Sequence, residues 1–256
     1  MSTVTFDIVT IFPAMVEAAL SAGVVGRAIE KRVLDVAIHD LREFTTDRHR
    51  SVDDMPYGGG PGMVMKPEPI FKALDAIEAK RGASREKMFV LLTSPQGTPF
   101  TQAGAARLST KAHLVLLCGR YEGVDERVRS RVDEEVSIGD YVLSGGELPA
   151  LVVLDAIARY LPGVVGDDQS VAEDSFSRGL LDFPHYTRPA EVGTERVPDV
   201  LLSGNHADIR RWRKRESVAR TLARRPELLE NATLDEEERR MLAELQKGTG
   251  GSDERS

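Results

Sequence analysis

Ser137-Ile-Gly-Asp-Tyr-Val-Leu-Ser-Gly-Gly-Glu-Leu-Pro149 places two short polar, glycine-containing turns around an apolar trio, directly ahead of a long apolar segment. Glycines at 139, 145 and 146 let the main chain approach a ligand closely and adopt positive φ. A loop of this kind can read a flat heterocycle through N–H and C=O groups without relying on side chains. Upstream, Leu116-Leu-Cys-Gly-Arg-Tyr-Glu-Gly-Val-Asp125 is a buried-strand run that ends in a second glycine turn.

Working outward, Thr3 to Thr10 reads as a strand rich in β-branched and aromatic residues. Pro13 opens a helix, Val24 to Val33 forms another, and Leu34 to His39 is a short strand. A glycine loop at 58–62 precedes a helix from Pro67 to Lys80. Met88 to Leu92 and His113 to Cys118 are apolar strands on either side of a helix over Thr101 to Leu108. A short helix over Val124 to Arg131 and a long apolar one over Glu147 to Tyr160 complete this part. Continuously apolar strands alternating with helices indicate an α/β fold whose parallel sheet is covered on both faces.

Leu161-Pro-Gly-Val-Val-Gly-Asp-Asp-Gln-Ser170 breaks that pattern, because its proline, glycines and polar residues offer little to bury. After a polar loop from Leu181 to Gly204, His206 to Ala223 and Asp235 to Gln246 carry helical periodicity. Asn205 can cap the first, and Thr233 or Asp235 the second. The expected organisation is a domain over 1–161, a flexible linker or lid over 162–180, a small all-α domain over 181–247 and a disordered tail over 248–256.

The chain is 41% hydrophobic and 29% charged, ordinary for a globular protein, and no apolar run approaches the ~20 residues that cross a bilayer. No secretory leader is evident, and the single cysteine, Cys118, excludes an internal disulfide, so a cytoplasmic location is expected. The net charge of −7 argues against a nucleic-acid partner, but its distribution argues the other way. From Asn205 to Arg225 there are eight basic and two acidic residues, a balance of +6, while 226–256 carries four basic and nine acidic ones, a balance of −5. A phosphate backbone senses the local charge.

Several chemistries find no support. The run Tyr57-Gly-Gly-Gly-Pro-Gly62 lacks the following Gly-Lys-Ser/Thr of a P-loop, and no G-x-G-x-x-G opens a dinucleotide fold. The five histidines are scattered, no cysteine cluster accompanies them, and no metal ligands are assigned. There is no G-x-S-x-G nucleophile turn. Taken alone, the glycine run is a flexible surface loop. Arg48, His49 and Arg50 upstream, with Asp53 and Asp54 between, make it a candidate RNA-contacting loop. In Ala207-Asp-Ile-Arg-Arg-Trp-Arg-Lys-Arg215 the lone tryptophan sits inside a basic cluster, which can be a solvated face or an RNA-backbone contact.

The two glycine segments resemble the cofactor-binding signature of the bacterial tRNA (guanine-N1)-methyltransferases, of the SPOUT class. The resemblance continues in Asp47-Arg-His-Arg-Ser-Val-Asp-Asp-Met-Pro-Tyr-Gly-Gly-Gly-Pro-Gly-Met63, Ser94-Pro-Gln-Gly97, Glu173-Asp-Ser-Phe176, Leu180-Leu-Asp-Phe-Pro-His-Tyr-Thr-Arg-Pro189 and Leu202-Ser-Gly-Asn-His-Ala-Asp-Ile-Arg-Arg-Trp-Arg213. It runs from about Thr5 to about Leu229.

That resemblance implies a trefoil knot on the C-terminal side of the sheet and S-adenosylmethionine as methyl donor, with Mg2+ as a possible assistant. It implies methylation of N1 of the guanosine 3′ of the anticodon, position 37 of tRNA. It further implies a homodimer whose active sites are shared between subunits. The cofactor residues it marks are Leu92, Ser94, Pro95, Gly119, Tyr121, Gly123, Ile138, Gly139, Asp140, Tyr141, Val142, Leu143, Gly145, Gly146 and Pro149. For the substrate it marks Arg48, Asp54, Gly59, Gly60, His185, Arg210, Arg211 and Lys214. Asp174 matches the family's proposed general base and Arg159 its partner arginine; neither would be selected by sequence pattern alone. A methyltransferase of ribose 2′-hydroxyls or ribosomal RNA and a non-catalytic RNA-binding protein on the same fold are the alternatives. The matches at 173–189 and 202–213 argue against the first, and retention of Asp174, Arg159 and the cofactor segments against the second.

Overall fold

β1 (Val4–Thr10) is buried along nearly its whole length as an inner strand, paired in parallel with β2 (Leu34–Asp40) and with β6 (His113–Cys118). The computed structural model describes residues 3–82, 85–165 and 174–249. The chain divides into two compact units, Met1–Gly166 and Asp167–Ser256.

In the first unit, β5 (Phe89–Pro99) and β7 (Glu134–Ser137) extend the sheet to five parallel strands in the order β2-β1-β6-β5-β7. A two-stranded ribbon, β3 (Asp53–Asp54) with β4 (Val64–Met65), closes off the glycine loop. One face of the sheet packs on α1 (Pro13–Leu20), α2 (Gly23–Glu30), α4 (Gln102–Leu108) and α5 (Glu147–Ala158) through residues such as Phe6, Leu114, Val153 and Leu154. The other face packs on α3 (Pro67–Arg81) through Val90, Val115, Ile70 and Leu74. Burial on both faces explains why β6, His-Leu-Val-Leu-Leu-Cys, has no exposed position. α3 begins on a proline and ends at Gly82 in the left-handed conformation, φ 58°.

The structure corrects the expected elements at several points. The strand expected over Met88 to Leu92 runs on to Pro99, with a register shift between Thr93 and Thr98, so Ser94-Pro-Gln-Gly97 is an irregularity within a strand. β7 was not anticipated: its two leading glutamates mask a strand that reaches only one neighbour. The helix expected over Val24 to Val33 ends at Glu30, and Arg32 takes a positive φ of 58° before β2. The segment expected as a helix over Val124 to Arg131 is a 3-10 turn from Glu126 to Arg131.

The second unit is not purely helical. Within the stretch expected as a polar loop, β8 (Glu191–Val192) and β9 (Glu195–Arg196) form a hairpin around Gly193, whose φ of 61° a tight turn requires. α6 (Asp199–Leu202) follows, then α7 (His206–Arg224), with the Asn205 side chain accepting from the amides of Ala207 and Asp208. α8 (Glu236–Thr249) starts at a reciprocal cap. The Glu238 amide donates to the Asp235 carboxylate at 2.9 Å, and the Asp235 amide to the Glu238 carboxylate at 2.8 Å. Asp235, rather than Thr233, is the cap. Glu238 is 1% exposed and also accepts from Arg178 at 2.8 and 3.1 Å, which ties the start of the unit to α8. α8 includes Gly248 and Thr249, and the rest of the expected tail lies outside the described residues, as do residues 166–173 of the expected lid.

Candidate functional site

Three neighbouring strands, β5, β6 and β7, deliver their carboxyl ends to one cleft of about 260 Å³. Open parallel sheets bind ligands at this end, where successive loops part and leave main-chain groups uncommitted. The lining comes from 92–96, 119–124, 136–139, 141–146 and Pro149, with Glu126 and Arg129. Leu92, Ser94, Pro95, Gly119, Tyr121, Gly123, Ile138, Gly139, Tyr141, Val142, Leu143, Gly145, Gly146 and Pro149 all contribute. Asp140, expected with them, is not among the lining residues, because the carbonyl of Gly139 turns back to accept from the amide of Tyr141 at 2.9 Å.

The cleft floor is made by close approach of main chains. The Gly146 amide donates to the Gly119 carbonyl at 2.8 Å, and Arg120 bridges Gly145. The Thr93 hydroxyl donates to the carbonyl of Leu117 at 3.1 Å and lies 3.3 Å from that of Gly146, so one buried side chain joins the ends of β5 and β6 to the residue that caps α5. Cys118 beneath them is 3% exposed, and burial, with the carboxylate of Glu147 nearby, pushes its thiol well above the ordinary range. It is a packed thiol rather than a nucleophile.

The upper wall is apolar and open. Tyr141, Val142 and Leu143 are 55%, 84% and 38% exposed, an unusual density of uncovered apolar surface that a flat ring could cover. Thr93, Arg120, Glu122 and Arg129 also line the cleft and were not singled out from the sequence. A polar residue at the end of the apolar run Phe89–Leu92 was the available signal for Thr93, and the charge inside Gly-Arg-Tyr-Glu-Gly for the next two.

The remaining expected residues fall elsewhere. In the glycine loop Tyr57 is fully exposed, and Gly58, Gly59 and Gly60 all have positive φ and open space around them. Asp54 is in β3, 3.9 Å from Lys66, and Arg48 is exposed. Arg159 forms the C-cap of α5, half-buried, and does not line the cleft.

In the second unit, half-buried Asp174 lines a hollow of about 220 Å³ together with Arg178, Arg210, Arg213 and Lys214. Lys214 bonds Asp235 at 2.7 Å and Glu237 at 2.9 Å, and those contacts raise its pKa above the ordinary lysine value. Arg211 approaches Glu237 at 3.7 Å. Arg210 is exposed. A second hollow of about 390 Å³ gathers Phe183, His185, Tyr186, Trp212 and Arg213. Within it His185 bonds Asp182 at 2.8 Å, and the rings of Tyr186 and Trp212 lie 6.4 Å apart. Cations beside uncovered aromatic rings are the surface on which single-stranded RNA is held.

Residues 4–231 match the family described as tRNA (Guanine-1)-methyltransferase TrmD. A tRNA (guanine-N(1)-)-methyltransferase of Geobacter metallireducens is 54% identical over 244 residues, covering 95% of this chain and 98% of that protein. One of Salmonella schwarzengrund is 56% identical over 239 residues, covering 93% and 92%. One of Dictyoglomus turgidum is 51% identical over 241 residues, covering 94% and 96%.

Proposed function

The chain belongs to the tRNA (guanine-N1)-methyltransferase family, and from that membership we propose how its parts divide the reaction: the cleft at the ends of β5, β6 and β7 holds S-adenosylmethionine, and the second unit presents tRNA. The enzyme transfers a methyl group from S-adenosylmethionine to N1 of a tRNA guanine, and the target is the guanosine at position 37. One observation carries the cofactor assignment: three separate segments, two of them rich in glycine, meet in one cleft with main-chain groups and open apolar side chains.

The donor sulfonium is already activated, so the protein has chiefly to align guanine N1, the methyl carbon and sulfur. Tyr141 to Leu143 would cover the adenine ring, and the amides and carbonyls of 138–143 would read its edge. Guanine N1 carries a proton that must leave as the N–C bond forms. Asp174 takes it as general base, and Arg159 stabilises the negative charge that develops on O6. The hollow around Asp174 supports this, because Arg178, Arg210 and Arg213 would draw the phosphates flanking the base to the same place. The described residues hold no group of three or more His, Cys, Asp or Glu able to cage a metal, so a magnesium ion is given no site and no step.

The knot expected of the family is supported by the return of 137–146 against 119–120, through the Gly146–Gly119 hydrogen bond, after β7 has paired with β5. A homodimer is supported by Phe12, Met15, Leu148 and Val152, exposed apolar residues on or beside α1 and α5, two helices that pack together. No helix among the described residues is long and apolar enough to cross a membrane, and a tRNA substrate supports a cytoplasmic location.

Methylation of an anticodon stem-loop transcript, followed by mapping of the modified atom, tests this reading. Methyl on guanine N1 at position 37 is the expected result; methyl on a ribose hydroxyl, or none, would overturn it.

A further inference from the structure

Beneath the cleft lies a buried ion pair, and we propose that Glu147, acting through Arg120, is a positioning residue that sets the spacing of the two glycine segments for S-adenosylmethionine; this rests on the assignment of the cleft to that cofactor. Glu147 opens α5 and is 1% exposed. Its carboxylate accepts from Arg120 Nε at 3.1 and 3.2 Å and from Nη2 at 3.0 Å, and from the Thr10 hydroxyl at 2.8 Å. That hydroxyl in turn accepts from the Phe12 amide at 2.9 Å, and the guanidinium of Arg120 lies over the Phe12 ring at 4.2 Å.

The pair joins three places distant in the chain: the end of β1, the loop after β6 and the start of α5. A buried carboxylate without its partner is costly, and so is a buried guanidinium, so each fixes the other in one geometry. The planar fork of arginine allows only a narrow range of approach to a carboxylate. Arg120 also carries the main-chain bridge to Gly145, and both its neighbours, Gly119 and Tyr121, line the cleft. A shift of the guanidinium is therefore a shift of the cleft wall.

Gly145 shows how closely the loop is fitted over the pair. A β-carbon there would stand 2.4 Å from Arg120 Nε and 2.6 Å from a carboxylate oxygen of Glu147. The backbone passes over the charges with no room for a side chain. Glu147 does not line the cleft itself, so its influence on a bound cofactor passes through Arg120 and the two segments.

Equilibrium titration of the full-length protein with S-adenosylmethionine tests the proposal. Glu147→Gln should raise Kd for the cofactor by about tenfold or more and KM for the cofactor in proportion, with kcat and KM for tRNA held within about threefold. Arg120→Gln should do the same, and the double variant should match either single one, because both remove one interaction. A folded Glu147→Gln protein with Kd within twofold of wild type would overturn the proposal, as would a double variant whose effect is the product of the singles. Should Glu147→Gln fail to fold, Thr10→Val removes only the hydroxyl donor to Glu147; a Kd raised several-fold supports the clamp and an unchanged one overturns it. Leu143→Trp, which fills the cleft, separates this from the cofactor assignment: affinity retained in that variant would mean that the cofactor binds elsewhere.

Discussion

A β-carbon on Gly146 would stand 2.0 Å from the hydroxyl oxygen of Thr93, so these two residues exclude any side chain where the last glycine segment crosses the ends of β5 and β6. The φ of Gly146 is an ordinary −83°, so space and not conformation demands glycine. Gly146→Ala should lower stability by about 1–3 kcal/mol, as overpacking does, and weaken cofactor binding. Adding Thr93→Ala should recover only part of both, because the amide of Gly119 and Cα of Cys118 would still lie 2.8 and 2.9 Å from the new methyl. Thermal melts and cofactor titration of the three variants check this; a fully stable Gly146→Ala would contradict the geometry.

Asp174→Asn keeps size and hydrogen bonding and removes only the carboxylate. Cofactor and tRNA affinities should stay within a few-fold, while single-turnover methyl transfer falls by ~10²–10⁴. A variant with wild-type rates would remove Asp174 from the role of base.

The basic helix α7 should divide into two kinds of cation. Exposed Arg210 should contact phosphate, and Arg210→Ala should lower the log–log salt slope of tRNA binding by ~0.7–0.9. Lys214 is held by Asp235 and Glu237, so Lys214→Ala should chiefly lower the melting temperature and leave the slope nearly unchanged. Equal slopes for both variants and wild type would assign α7 to the fold alone.

Acid stability should depend on Asp7. Burial alone would raise its pKa, but hydrogen bonds from His113, His39 and Arg81 overcome that and hold it well below the ordinary carboxylate range. A depressed folded pKa gives stability that is fully present above the unfolded value of ~3.9 and is lost as pH falls toward the folded one. Wild type should therefore exceed Asp7→Asn in melting temperature at neutral pH, with the gap closing below about pH 4. A gap independent of pH would mean that the carboxylate charge is not what stabilises.

The sequence made the sheet legible where burial leaves little ambiguity: β1 and β6 are mostly apolar, buried almost throughout, and fell where expected. β7 escaped notice because it is a short edge strand, and its first glutamate faces Arg107 at 2.8 Å instead of a core. Ser94 to Pro99 reads as turn sequence, yet beyond Thr93 β5 is paired with β7 alone, and a strand open on one side tolerates proline. The hairpin at 191–196 depends on one glycine in a polar stretch. That the glycine segments belong together was implied by the family resemblance; the cleft's charged underside was not, because Thr10 and Glu147 share no local pattern. Nor could the sequence show that Lys214 is engaged, since its partners lie 21 and 23 residues further on. Asp174 and Arg159 were selected by family resemblance alone.

The hydrogen bond from Thr10 to Glu147 spans 137 residues, and that span has a consequence for biosynthesis. A ribosome adding ~5–20 residues per second takes roughly 7–27 s to bridge it. Throughout that interval the first strand has emerged while the acceptor for its terminal hydroxyl does not yet exist. The nascent N-terminal unit thus completes its packing late, only after α5 clears the exit tunnel.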